Sequence, residues 1–68
     1  MSKRIIANII FRVLDISFNR IHKIENLDRL VKLHKLYLCA NKISVIENIG
    51  HLTNLTMLEL GDNKLRVS

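Results

Sequence analysis

The stretch Leu36 to Ile43, LYLCANKI, lies in the middle of the chain and has one matching segment before it and one after it. The earlier segment, residues 14–21, is LDISFNRI, and the later one, residues 58–65, is LELGDNKL. Each segment contains one asparagine, and consecutive asparagines are 22 residues apart: Asn19, Asn41 and Asn63. This fixed spacing over three copies indicates a repeat protein.

The full repeated frame is L-x-x-L-x-L-x-x-N-x-L, with Phe11 in the first leucine position of the first copy. The rest of the period recurs as well, because IENL at 24–27 returns as IENI at 46–49. A period in the low twenties with this frame is typical of leucine-rich repeats. The sequence therefore predicts an α/β repeat fold. We expect a leucine-rich-repeat solenoid with a short parallel sheet on its concave face and 3₁₀ or single-turn helices on its convex side.

These periods define the predicted organisation of the chain. Residues 11–68 form the repeats, with boundaries at 11–32, 33–54 and a partial 55–68. Residues 1–10 follow the frame poorly and are predicted to be either a degenerate repeat or an N-terminal cap.

Alternation of apolar and polar residues places the strands within the repeats. Strands are expected at about 13–16, 35–38 and 57–60, because every second side chain there is apolar. The three repeated asparagines follow the strands, and we expect their amides to bond the backbone of adjacent turns. The return segments are the stretches between each repeated asparagine and the next strand, residues 20–34 and 42–56. Within them, Asn26 and Asn48 are predicted N-caps of short helical turns.

Outward residues of neighbouring strands should align in columns about 4.8 Å apart. One column contains Asp15, Tyr37 and Glu59. Aromatic and apolar side chains on an exposed strand face indicate a partner surface. The predicted partner-binding residues come from this column and the one beside it: Asp15, Tyr37, Glu59, Lys35 and Met57.

Catalysis and cofactor binding are not expected. Asp15 and Glu59 would lie about 10 Å apart on an open face, beyond the carboxylate separations of glycosidases. The three histidines occupy different repeat positions, and none has a cysteine or carboxylate at metal-ligand spacing. The sequence thus predicts no enzyme activity, no cofactor and no metal site.

The formal charge is +5, from eleven Lys and Arg against six Asp and Glu. Such a balance can indicate nucleic-acid binding, but the cations are spread among carboxylates in the return segments, which favours a solvated surface of mixed charge. Cys39 is the single cysteine, so an intramolecular disulfide is excluded and a reducing, intracellular location is expected. No segment approaches membrane-spanning length, and no membrane partner is expected.

The segments VLDISFN at 13–19, NKISVIEN at 41–48 and MLELGDN at 57–63 resemble the 22-residue leucine-rich-repeat subclass typified by the regulatory subunit of type-1 protein phosphatase. In that family, the catalytic subunit docks on the concave sheet through the outward residue between the two strand leucines. By position, the resemblance assigns this role to Asp15, Tyr37 and Glu59. It implies a non-catalytic protein-binding scaffold, namely a regulatory subunit or a fragment of one, in the nucleus, the cytoplasm or both.

Other interpretations remain open. The subclass also contains adaptors of the axonemal dynein and spliceosomal types, so the partner could differ. A basic nucleic-acid-binding module is an alternative from another class. Uncapped repeat ends also allow self-association, since Met57 to Leu60 would form an unpaired edge strand.

Overall fold

The structure is a computed structural model that describes residues 12–66. Three short strands lie within this range: β1 (Val13–Asp15), β2 (Lys35–Tyr37) and β3 (Met57–Glu59). They form one parallel sheet with the order β1-β2-β3. The predicted segment 1–10 lies outside the described residues.

Each strand is one residue shorter than the alternation predicts, but the hydrogen bonding continues past the strand end. The amide of Ile16 donates to the carbonyl of Tyr37 at 3.0 Å, and the amide of Leu38 donates to the carbonyl of Glu59 at 2.8 Å. A difference of one residue is within the usual uncertainty of an element boundary. The three strands therefore lie where the repeat frame places them.

The sheet is in register with the 22-residue period. Leu14 pairs with Leu36, and Leu36 pairs with Leu58, so each strand residue lies beside its counterpart in the next repeat. Parallel strands need a long return connection, and each repeat supplies it within its own period.

The core lies under the middle strand and between the return segments. Eight hydrophobic side chains are buried there: Ile24, Leu27, Leu30, Leu33, Leu36, Leu38, Ile43 and Leu52. Leu14 and Leu58, at the two edges of the sheet, are only partly buried against this cluster. The middle repeat is thus the best-packed part of the described chain, because it has a neighbour on both sides.

The expected helices of the return segments are not observed, since residues 12–66 contain only turns and bends between the strands. Isolated i→i+3 bonds occur in their place: the amide of Leu30 donates to Leu27 at 3.1 Å, and that of Leu33 donates to Leu30 at 3.0 Å. A 3₁₀ helix requires such bonds on consecutive residues, whereas these are three residues apart. The second return repeats the pattern with bonds from Leu52 to Ile49 and from Leu55 to Leu52.

The prediction that Asn26 and Asn48 are helix N-caps is also wrong. Both have left-handed backbone conformations, with φ of 65° and 60°, whereas an N-cap residue is extended. Asparagine tolerates this conformation better than most residues. The Asn48 side chain instead donates to the carbonyl of Ile24 at 2.6 Å and joins two return segments.

A second set of residues with left-handed backbone lies in the turn that follows each strand. Phe18, Ala40 and Asp62 have φ of 59°, 54° and 57°, and each directly precedes a repeated asparagine. The amide of Phe18 donates to Cys39 at 2.9 Å, and that of Ala40 donates to Gly61 at 2.8 Å. The turn therefore redirects the chain while its backbone stays bonded to the next repeat.

No helix between residues 12 and 66 has the length and apolar character needed to cross a membrane.

Candidate functional site

Asp15, Tyr37 and Glu59 lie side by side on the sheet, and we call them the strand row. Asp15 is the register partner of Tyr37, which is in turn the partner of Glu59. The two carboxylates are exposed and the tyrosine between them is half-buried. The row therefore presents a half-buried tyrosine flanked by two exposed carboxylates.

A flanking row on the same sheet contains Val13, Lys35 and Met57, which are also register partners. Val13 is 54% exposed and Met57 is 38% exposed, so two apolar side chains face solvent beside the strand row. Lys35 is exposed between them. The parallel register thus brings all five sequence-predicted partner-binding residues into two adjacent rows.

The carboxylate of Asp15 also has a structural contact. Its Oδ1 accepts a hydrogen bond from the amide of Ser17 at 3.0 Å, two residues along the chain. The Ser17 hydroxyl in turn accepts from the amide of Cys39 at 3.0 Å. One oxygen of Asp15 is therefore fixed by the turn, and the side chain is held in place beside Tyr37.

The repeated asparagines fix the strand ends behind these rows. The Nδ2 of Asn41 donates to Leu38 of its own repeat at 3.0 Å and to Ile16 of the preceding repeat at 3.2 Å. Its Oδ1 accepts from the amide of Ile21 at 3.1 Å. Asn63 makes the equivalent bonds one repeat later, with Nδ2 on Leu38 and Leu60 and Oδ1 on the amide of Ile43. These contacts join the repeats through otherwise unpaired backbone groups.

The geometry of the strand row suits recognition better than chemistry. Asp15 and Glu59 are two strand spacings apart, about 10 Å, so they cannot share a proton. In the part of the chain that the structure describes, no three His, Cys, Asp or Glu side chains are grouped so as to hold a metal ion. The row is an open surface of fixed shape and mixed polarity.

Two of the three histidines, His34 and His51, have partners in the neighbouring repeat. His51 Nε2 lies 2.8 Å from the carbonyl of Leu27, a geometry in which the ring donates across to the preceding return segment. His34 Nε2 lies 3.5 Å from Nη1 of Arg12. These contacts link neighbouring repeats.

An apolar surface away from the strand row was not predicted from the sequence. Ile46 is 53% exposed although Ile24, its counterpart one period earlier, is 2% exposed. Ile46 lines an open cleft together with Ser44, Val45, Leu65 and Arg66. Periodicity treats Ile24 and Ile46 as equivalent, whereas their burial depends on which residues pack over them.

Residues 11–65 match the model of a family described as leucine rich repeat. A search of curated proteins finds no relative that matches the chain.

Proposed function

This chain belongs to the leucine-rich-repeat family, and from that premise we propose that it binds a protein partner through the strand row and the flanking row. Leucine-rich-repeat domains are in general protein-interaction modules, which present an extended sheet surface and do not themselves catalyse a reaction. The observation that carries the proposal is the register of Asp15, Tyr37 and Glu59 on one exposed sheet face.

The chemistry of this face defines the class of partner. Tyr37 is half-buried, so its ring is positioned before binding and loses little conformational freedom in a complex. The carboxylates of Asp15 and Glu59 favour a basic segment that approaches the ring from either side. Met57 and Val13 extend the apolar contact area beside them. The partner surface is therefore basic around an apolar pocket that accepts the tyrosine.

The specific partner that we propose is the catalytic subunit of type-1 protein phosphatase, on the concave face of a solenoid. The support is the resemblance of the repeats to that regulatory subclass, in which the strand-row positions carry acidic and aromatic residues. Binding there would place the module in the nucleus or the cytoplasm, as a regulatory subunit or a fragment of one.

Calorimetric titration of the chain with that catalytic subunit tests the proposal. Tyr37→Ala should weaken binding by about 1–3 kcal/mol, because a central aromatic anchor is lost. Tyr37→Phe, which keeps the ring, should retain most of the affinity. Asp15→Asn and Glu59→Gln should weaken binding less and reduce its dependence on salt. Asn at position 15 keeps an oxygen that can accept from the Ser17 amide, so the turn is preserved.

Glu25→Gln is the matched control, because it makes the same chemical change at an exposed position in a return segment. Equal affinity for all variants would remove the strand row from the interface. No binding by a folded chain would reject this phosphatase as the partner and favour an adaptor of the dynein or spliceosomal type.

A further inference from the structure

Phe18 has the largest exposed fraction of the large hydrophobic side chains that the structure describes, at 84%. It lies in the turn after β1, directly before Asn19. The second repeat is already packed beside this turn, because the amide of Phe18 donates to the carbonyl of Cys39 at 2.9 Å. An aromatic ring offers a large apolar surface for burial, and the fold uses almost none of it here.

The backbone of Phe18 is also unfavourable for this residue. Its φ is 59°, and a bulky side chain is rare in the left-handed region, which Asn and Asp accommodate better. The equivalent residues of the next two repeats, Ala40 and Asp62, have the same conformation, with φ of 54° and 57°. The turn therefore requires a left-handed residue but not an aromatic one. Strained residues of this kind occur preferentially at functional sites.

A chain of hydrogen bonds joins this turn to the strand row. Oδ1 of Asp15 accepts from the amide of Ser17 at 3.0 Å, and the hydroxyl of Ser17 accepts from the amide of Cys39 at 3.0 Å. The carbonyl of Cys39 accepts from the amide of Phe18, and Cys39 follows Tyr37 by two residues. The backbone that carries Phe18 is thus fixed relative to both Asp15 and Tyr37.

Small residues separate the turn from the strand row. They are Ser17, Cys39 and Gly61, which correspond to one another at the 22-residue period. Ser17 and Cys39 are half-buried, and a Cβ placed on Gly61 would lie 3.9 Å from the Cys39 sulfur. The backbones of Phe18 and Tyr37 are on the order of 10 Å apart, from the strand spacing and the rise per residue. One partner surface can therefore contact both aromatic residues across this low strip.

We infer that Phe18 is a second aromatic anchor of the partner interface, beyond the strand row. This inference rests on the proposed function and concerns the same basic protein partner. Aromatic side chains are enriched at the centres of protein interfaces, where they fill apolar pockets. The partner has a second apolar pocket, about 10 Å from the one that accepts Tyr37. Its basic group pairs with Asp15, which lies between the two anchors.

Calorimetric titration of the Phe18→Ala variant with the catalytic subunit of type-1 protein phosphatase tests the inference. The substitution gives the first repeat the residue that the second repeat has at this position, Ala40. Binding should weaken about tenfold, because an anchor is lost. The midpoint of thermal unfolding should change by no more than about 4 °C, because an exposed ring contributes little to the fold.

Two variants are matched controls. Val31→Ala removes an apolar side chain that is 44% exposed in a return segment, and it should leave the affinity unchanged. The double variant Phe18→Ala, Ala40→Phe has the composition of the original chain and moves the ring by one strand spacing, about 4.8 Å. It should not recover the lost affinity, because the ring no longer meets its pocket.

The Tyr37→Ala variant separates failure of the inference from failure of the proposed function. Weakening by Tyr37→Ala with full affinity for Phe18→Ala would overturn the inference and leave the strand row as the site. No binding by the folded chain would reject both.

Three further results would also overturn the inference. Full recovery of affinity in the double variant would mean that any exposed ring suffices. A fall in the thermal midpoint well beyond about 4 °C for Phe18→Ala would indicate a structural role for the ring. A concentration-dependent oligomer in analytical ultracentrifugation that Phe18→Ala dissociates would assign the ring to a contact with a second copy of this chain.

Discussion

At the scale of single residues, the repeated asparagines connect one repeat to the next. Asn41 is 6% exposed and is the buried polar residue of the described core. Its side chain bonds backbone groups of two repeats, at Leu38 within its own and at Ile16 and Ile21 in the preceding one. An apolar side chain of similar size could fill the space but could not pair with these groups.

Asn41→Ala should lower the free energy of unfolding by about 1–3 kcal/mol, because buried donors and acceptors lose their partners. Urea denaturation followed by circular dichroism measures the effect. Asn54→Ala is the control: Asn54 is exposed and makes one side-chain bond, to the carbonyl of Val31 at 3.1 Å. That substitution should cost less than about 1 kcal/mol. Equal costs at both sites would show that the Asn41 contacts do not contribute specifically.

At the scale of elements, the three strands share a central leucine but differ in how deeply it is buried. β2 has a strand on each side, and its central Leu36 is fully buried. β3 is the last strand of the described sheet, and its Leu58 is only partly buried. Leu36 and Leu58 occupy the same repeat position, but folding removes more of the apolar surface of Leu36 from water.

Leu36→Ala should destabilise the chain by about 2–5 kcal/mol, since it leaves a cavity in packed surroundings. Leu58→Ala should cost clearly less, because part of that side chain already contacts solvent. The midpoints of thermal unfolding of the Leu36→Ala and Leu58→Ala variants measure this difference. A larger loss for Leu58→Ala would mean that the third repeat, and not the second, is the centre of the fold.

The strands were predictable from the sequence, and the return segments were not. Alternation around Leu36 has a period of two, which only an extended strand satisfies. In contrast, the apolar residues Ile24, Leu27 and Leu30 recur every three positions, and this spacing suits a helix and a series of separate turns equally well. The left-handed Asn26 decides between them, and no pattern of hydrophobic residues reveals its φ.

The candidate sites were predictable to different extents for a related reason. The strand row follows from the repeat period and the alternation alone, so Tyr37 could be placed between Asp15 and Glu59 before the fold was known. The cleft depends on packing: Ile46 has the same pattern position as the buried Ile24 and a very different exposure. Local sequence does not encode that difference.

At the scale of the whole molecule, the parallel stacking of the repeats produces two adjacent rows of side chains on the sheet. The strand row carries two carboxylates around a tyrosine, and the flanking row places Val13, Lys35 and Met57 beside it. Both depend on the parallel register, because a shift of a single residue would move every strand side chain to the other face. The parallel register therefore decides which side chains reach the surface of the sheet.

The most direct test of that register is the measurement of scalar couplings through hydrogen bonds by NMR. The parallel sheet predicts a coupling between the amide nitrogen of Ile16 and the carbonyl carbon of Tyr37. It predicts a second coupling between the amide nitrogen of Leu38 and the carbonyl carbon of Glu59. The contradicting result would be the absence of both inter-strand couplings, together with couplings between each amide nitrogen and the carbonyl carbon four residues earlier in the regions of β1 and β2. That pattern would indicate helices in place of the stacked parallel sheet.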